Sequence, residues 1–460
     1  MLFIATVRDA SGAYYLSDLA AEPGVPGASR PAWVGRGADR LGLGGDVDQV
    51  RLAAVLAGRQ PATGRRLSSH PTTVCAYDLT FAAPKSVSLL ATLGPPEARV
   101  ACAAAHDRAV ASGLDYLEQR ALGVRRGSGE LRAVVPTHGL IGATFVHSTS
   151  RALDPHLHTH VVVANLAHDV EGRFGALDSR RLFAHSAAAG ALYDAHLRHD
   201  LTAALGIGWA RRRDGVTEID GVDPVLVGAF SGRQAEIRAS LGGRRSPATR
   251  RVAWASTRDP KASVPVEVAM RRAEEAARSL GCDPTELGRL GGRPRPGPGT
   301  LDEHRFAAVV STFADGVARR DVVTAWSTGA LDGAPGAHVT ACVDDWLPVP
   351  AGAAERRHPG GEVVPAPYLL SSLGPRPLGP DAHRAWRRGA AVIEDFRHRW
   401  CITDPHRALG TGPTPAELAH LPAARLADHL DAQRRLAELT VQWRRHAAER
   451  VGPADRTLGR

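Results

Sequence analysis

The chain has 460 residues, 43% of them hydrophobic, with a formal net charge of +9 and a pI near 9.8. That length allows about two or three domains with substantial cores, and the basic balance fits a polyanionic partner such as nucleic acid. Five scattered cysteines without CxxC spacing (Cys75, Cys102, Cys282, Cys342, Cys401) point to reduced thiols rather than a disulfide framework, and no apolar run approaches a membrane span. The opening MLFIATVRDA lacks the basic leader and long apolar segment of a signal peptide, so the expected location is cytoplasmic, without membrane insertion.

Residues 2–7 (LFIATV) have the β-branched character of a buried strand. A short helix is expected over 11–20, carrying Tyr14 and Tyr15, and then a Pro/Gly-rich loop, EPGVPGASRP. Residues 46–58 read as a helix and 73–81 as a strand. Pro84 marks the start of the next helix, because proline suits a first helical position. A long Ala-rich helix over 97–122 precedes strands at 130–136 and 139–147, the latter entering a hairpin. Another short strand is expected near 173–177, then a helix over 181–205, a hairpin over 207–219 turning at Asp214-Gly215, and helices over 223–241 and 264–280. Pro and Gly mark 286–300 as a linker between a first region, 1–285, and a second, 301–460. The second region reads as mostly helical, over 302–346, 381–400 and 414–450, with an irregular stretch at 348–380. No GxxxxGK[ST] phosphate loop occurs, so no motor ATPase is signalled.

The hairpin FVHSTSRALDPHLHTHVVVAN (145–165) carries the densest chemistry. Side chains alternate along a strand, so His158 and His160 share a face, and a turn at 152–155 brings His147 opposite His158. Three convergent imidazoles suit a first-row metal with open positions, whereas a solvent-facing hairpin of titrating histidines is the alternative. His156 shares the same face and is a rival ligand. In DLTFAAPKSVSLL (78–90), Asp78 can orient a histidine through its second ring N–H or accept a proton from a nucleophile. Lys85 and Ser86 begin a helix whose N–H groups favour phosphate; a solvated lysine is the plainer reading. A tyrosine phenol can attack a phosphodiester when a metal offsets the charge that develops.

These segments together resemble the conjugative relaxases of the TrwC/TraI type, the MobF class. The matching stretches are the N-terminal YY, WVGRGADRLGLGGDVD (33–48), YDLTFAAPKSVSLL (77–90), the histidine hairpin, LDSRRLFAHSAAAGALYDAHLRHDL (177–201) and FSGRQAEI (230–237). The resemblance covers about residues 1–245 and implies an α+β fold of the HUH-endonuclease kind, an antiparallel-rich sheet with flanking helices, followed here by the mostly helical C-terminal region. It implies site- and strand-specific nicking and rejoining of single-stranded DNA at an origin of transfer, through a 5′-phosphotyrosine. Carried over by position, it makes His147, His158 and His160 the metal triad and Asp78 the acidic neighbour of the nucleophile. Tyr14 matches that nucleophile, with Tyr15 beside it, and Arg151 matches an arginine near the active centre. His156 falls where the family commonly has another polar residue and ranks as a neighbour. The implied ion is Mg²⁺ or Mn²⁺, with Zn²⁺ or Ni²⁺ able to occupy three histidines.

Two departures stand out. The second tyrosine pair common in the family has no counterpart in EPGVPGASRP, and the motor region of many relatives is missing. Residues 378–410 resemble tails of longer relatives, from which an internal loss of the motor is expected. A separate helicase, a coupling protein and accessory DNA-binding proteins are then the expected partners. Arg211, Arg212 and Arg213, with Arg244 and Arg245, are candidate phosphate contacts, against a reading as solvated arginines. Besides the strand transferase, two readings stay open: a metal- and single-strand-binding remnant that does not cut, and a metallohydrolase that releases a free 5′-phosphate.

Overall fold

The computed structural model describes residues 1–13, 15, 29–68, 72–127, 133–150, 152–212, 215–232, 266–291, 301–302, 306, 318–346 and single positions at 373, 386, 389, 390, 393, 397, 431, 434 and 438. The elements run β1 (Leu2–Val7), β2 (Ala32–Val34), α1 (Arg36–Arg40), α2 (Gln49–Leu56), β3 (Ala76–Ala82), α3 (Lys85–Leu93), α4 (Pro96–Arg120), β4 (Val124–Arg126), β5 (Ala133–Val135), β6 (Gly142–Thr149) and β7 (Pro155–Ala164). Then come β8 (Ala167–His168), β9 (Phe174–Gly175), α5 (Ser179–Ala184), α6 (Ser186–Leu205), β10 (Trp209–Arg211), β11 (Thr217–Ile219), α7 (Pro224–Ala229), α8 (Val266–Ser279), α9 (Arg319–Gly329) and α10 (Gly336–Trp346).

The central sheet has five strands in the order β1-β3-β7-β6-β2, every pair antiparallel. Its middle strand, β7, is buried along most of its length and reads as a nearly continuous apolar run after the histidines. Period-two alternation sorts its two faces. Leu79, Phe81, Thr159 and Val161 point to one side, where Phe81 lies 5.4 Å from the ring of Tyr193 on α6 and the helices α4 and α6 cover the sheet. The other side carries Ala143, Phe145 and Val162, packed with Leu52, Val55 and Leu56 of α2 and with Tyr15.

Local chemistry sets several boundaries. Asp48 caps α2 by accepting from Arg51 N, and Asp178 caps α5 by accepting from Arg180 N. The expected helix over 181–205 is two helices broken at His185. Ser186 Oγ donates to the Phe183 carbonyl at 2.7 Å, a local bond that competes with the helical ladder. The expected helix over 223–241 is only α7 among the described residues, and 233–241 lie outside them. Across the start of the expected linker, Pro284–Arg289 forms a 3-10 turn capped by Asp283, with Leu287 buried. The expected segments at 348–380, 381–400 and 414–450 fall almost wholly outside the described residues.

The chain divides into two units, Met1–Leu301 with Trp326–Thr340, and Asp302–Ala325 with Ala341–Arg460. In the second, Phe306, Val322, Val343, Trp386 and Ile393 are buried and Arg319 pairs with Asp344 at 2.6 Å. Residues 326–340, which composition alone places beyond the linker, group with the first unit. There the buried Arg198 of α6 donates to the carbonyls of Ser327, Ala330 and Leu331 at 2.9–3.0 Å. Those carbonyls end α9, where the helix dipole is negative, so a cation is favoured. Gly333 follows at φ 78°, and a Cβ there would lie 2.1 Å from the Ala195 carbonyl oxygen. Only glycine permits both that backbone conformation and that approach.

Two outcomes are expected. Arg198→Leu leaves buried carbonyls unpaired and should lower unfolding stability by about 1–3 kcal/mol, read as the urea midpoint. His106, fully buried on α4, is held at a pKa of about 3 against an ordinary 6.5, chiefly by burial. The unfolded chain therefore binds the extra proton first, so the stabilisation is complete above pH 6.5 and is lost as pH falls towards 3. The slope is at most about 1.4 kcal/mol per pH unit, and His106→Gln should remove it from a titration of stability against pH.

Candidate active site

Antiparallel register places the site. His147 on β6 lies directly opposite His158 on β7, and Phe145 lies opposite His160. On the other side of β7, Thr80 of β3 pairs with His160, and Ala82 with His158. Asp78 stands two residues before Thr80, so it shares that face and reaches His160 diagonally. The ring centroids of His147, His158 and His160 are 5.1–5.4 Å apart. A metal–nitrogen bond of about 2.0–2.1 Å puts each ring centre about 3.2 Å from an ion, and tetrahedral angles then separate ring centres by about 5.2 Å. The three rings thus have the spacing that a single ion requires.

The hydrogen bonds also select the useful tautomers. Nδ1 of His158 lies 2.8 Å from the His156 carbonyl oxygen, which only accepts, so Nδ1 carries the proton. Nδ1 of His160 lies 2.9 Å from both carboxylate oxygens of Asp78. Each ring is left with Nε2 as its lone-pair nitrogen, the arrangement found in metal-binding histidines. Burial, reinforced by the imidazoles of His156, His160 and His147, holds His158 well below its ordinary pKa, so it is neutral at pH 7. The donor set fits a divalent cation. Among the described residues, however, no group of three His, Cys, Asp or Glu is assembled into a finished metal site. The rings of His147 and His158 lie stacked at 23°, which is not yet a ligand shell.

His156 packs against the outer side of the triad, with its centroid 4.6 Å from that of His158 at 27°. Burial, then the charge of Lys85, pushes its pKa down to about 3. It acts on the site through its backbone carbonyl.

Tyr15 sits directly over this face, only 6% exposed. Its hydroxyl donates to Asp78 Oδ2 at 3.2 Å, and its ring stacks on Phe145 at 5.6 Å with its edge to His160 at 5.9 Å. Thr80 Oγ1 completes the cluster, 3.3 Å from Asp78 Oδ1 and 3.2 Å from His160 Nδ1. One carboxylate therefore faces a phenol, an imidazole and an alcohol. Tyr14 and Arg151 lie outside the described residues, as do Arg213, Arg244 and Arg245.

The hairpin tip beside Arg151 is tightly built. Ser150 N donates to Asp154 O, Leu153 N donates to Ser150 O, and Ser150 Oγ accepts from the amides of Ala152 and Asp154. Leu153 has φ 62°, and no other non-glycine described residue has positive φ.

The start of α3 differs from the expected phosphate site. Glu218 of β11 fills it: its Oε2 accepts from Ser86 N at 2.9 Å and from Ser86 Oγ at 2.6 Å. A carboxylate from 132 residues away satisfies the helix dipole, and a phosphate would meet like charge there. Lys85 instead donates to the Pro155 carbonyl at 2.6 Å, bracing the hairpin, and burial lowers its pKa against the opposing charges of Asp154 and Glu218. Arg211 donates to the Thr328 carbonyl at 2.6 Å, while the exposed Arg212 lies 3.9 Å from Glu218. Arg211 is thus committed to internal bonding; Arg212 keeps its solvent face.

Sequence reading missed Phe145, Thr80 and Glu218 as members of the site. Thr80 was accessible from alternation with Asp78, whereas nothing local announces Glu218.

Comparison with known proteins identifies the family. The model of the TrwC relaxase family matches residues 5–280. The multifunctional conjugation protein TraI of Escherichia coli K12 is 34% identical over 301 residues, covering 62% of this chain and 16% of TraI. A second Escherichia coli TraI is 35% identical over 275 residues, 56% of this chain and 15% of that protein. The chain therefore spans a small fraction of the length of these relatives. The metal-bound structure of the conjugative relaxase TrwC in complex with oriT DNA superposes with a TM-score of 0.55 at 30% identity, covering 62% of this chain and 100% of that one. A copper-bound TrwC–oriT complex gives 0.55 at 29% identity with the same coverage. The five-stranded antiparallel sheet with its helices is a relaxase fold. The chain belongs to the TrwC relaxase family.

Replacing Asp78 by Asn should weaken binding of Mn²⁺ and Ni²⁺ by about 10- to 100-fold, as loss of a histidine-orienting partner does. Isothermal titration of the two proteins at pH 7 measures it.

Proposed function

We propose that this protein nicks and rejoins one DNA strand at an origin of transfer during conjugation, through a 5′-phosphotyrosine. The observation that carries the reading is the Tyr15–Asp78–His160 hydrogen-bonded chain beside three converging imidazoles. His147, His158 and His160 are the groups that would hold a divalent cation, which when bound offsets negative charge on the scissile phosphate. The ion is Mg²⁺ or Mn²⁺ on this reading, with Zn²⁺ or Ni²⁺ able to substitute.

Tyr14 is assigned as nucleophile. Its phenol oxygen bonds to phosphorus, the P–O bond to the 3′-oxygen breaks, and the 3′-oxygen leaves as a hydroxyl. Asp78 accepts or relays the phenolic proton and keeps His160 in its working tautomer. Tyr15, buried and already bonded to Asp78, fits a role in orienting that carboxylate rather than a second attack. Adjacent helical residues also point about 100° apart. Arg151 is assigned to the phosphate, and Arg212, Arg213, Arg244 and Arg245 to the DNA backbone. Reversal of the same step rejoins the strand, because the phosphotyrosine keeps the energy of the broken ester. A separate helicase, a coupling protein and accessory DNA-binding proteins complete the proposed cytoplasmic setting.

Incubating the full chain with single-stranded oligonucleotides spanning candidate origins and Mn²⁺ should give a covalent adduct on a denaturing gel. Tyr14→Phe should abolish it, and Tyr15→Phe should slow its formation by about tenfold, a loss of about 1.4 kcal/mol of transition-state stabilisation. Cleavage to a free 5′-phosphate without an adduct would identify a metallohydrolase. Tight binding with no cleavage would identify a non-cutting remnant.

A further inference from the structure

Between His158 and His160, Thr159 points to the opposite face of the sheet. It is 2% exposed. Its Oγ1 lies 2.8 Å from Nε2 of His106 on α4, and Nδ1 of the same ring lies 2.8 Å from the hydroxyl of Tyr193 on α6. His106 and Tyr193 are both fully buried, and their rings meet edge to face at 5.5 Å. A neutral imidazole has one N–H and one lone pair, and a hydroxyl can either donate or accept, so one hydroxyl donates to the ring and the other accepts from it. Burial keeps the imidazole neutral and the phenol protonated.

Around Thr159 this face carries the buried apolar side chains of Leu79, Phe81 and Val161. Apolar contact fixes the distance between layers, but it is non-directional and tolerates sliding. A hydrogen bond depends on distance and angle together. The bond to Thr159 therefore adds a directional constraint on β7 to the ladders with β3 and β6, at the residue between the two histidines. A shift of β7 changes the distance from His158 to His147 on the neighbouring strand.

We propose that His106 is a positioning residue for the histidine face: by clamping Thr159 from behind the sheet, it sets the spacing of the three imidazoles and hence their affinity for a divalent cation. This rests on the metal-assisted reading above. His106 touches neither substrate nor ion.

A buried histidine can also serve packing alone, and the molecule supplies its own comparison. Tyr116 of α4 bonds His185, at the start of α6, at 2.9 Å. That pair is also buried but joins helix to helix, not helix to strand.

The test is isothermal titration of the full chain with Mn²⁺ and with Ni²⁺, at a temperature well below each protein's Tm. His106→Leu and Thr159→Val should each weaken binding about tenfold, the lower end of what an outer partner contributes. His106→Gln, whose amide can reach Thr159, and Thr159→Ser, which keeps the hydroxyl, should recover most of the affinity. Tyr116→Phe should lower Tm but leave the affinity within twofold of the parent. If His106→Leu fails to fold, Thr159→Val against Thr159→Ser decides. Equal affinity in the parent and Thr159→Val overturns the proposal, and so does an equal loss in Tyr116→Phe. A parent that binds neither ion overturns the metal-assisted reading, and this inference with it.

Discussion

The carboxylate of Asp78 is the point at which sheet geometry becomes chemistry. It accepts from the ring of His160 and the phenol of Tyr15, far away in the chain, and from the hydroxyl of Thr80 on its own strand. The contact with His160 depends on the antiparallel register of β3 on β7, which sets Thr80 opposite His160. A slip of one residue would turn Asp78 and the histidines to opposite faces. The apolar residues that flank the site, Phe145, Val162 and Ala143, hold that register through burial. Core and site are therefore parts of one packing problem.

The histidine hairpin was legible because its signal is periodic. His158 and His160 had to share a face, and a tight turn had to bring His147 across from them, as the pairing His147↔His158 shows. Four of the five strands of the main sheet and the long helix α4 were legible as well, whereas the three-residue β2, next to a Pro/Gly-rich stretch, was not. What escaped is non-local. Glu218 takes the start of α3 from the far side of the sequence, so the apparent phosphate site at Lys85 and Ser86 is satisfied internally. Arg198 gathers carbonyls from residues 327–331, beyond a composition break that looked like a boundary. At the break at His185 a serine hydroxyl turns back on the preceding helix, a choice invisible to hydrophobic pattern.

Membership of the TrwC relaxase family rests on residues 5–280, the part in which the sheet and its histidines lie. No helix among the described residues is long and apolar enough to cross a membrane. The opposite faces of the sheet divide the labour. One carries ionisable groups within reach of one another; the other carries the hydroxyl–imidazole–hydroxyl line behind Thr159.

Leu153 gives the hairpin tip a further meaning. A left-handed leucine costs roughly 1–2 kcal/mol, yet the tip holds it there with four bonds centred on Ser150 and Asp154. A loose tip would allow β6 and β7 to close in several alignments, each nearly equal in backbone bonding. This tip closes in one. The strained residue thus works as an indexing pin: it discards free energy locally so that the strands it joins have a single reading frame, and the three imidazoles meet only in that frame.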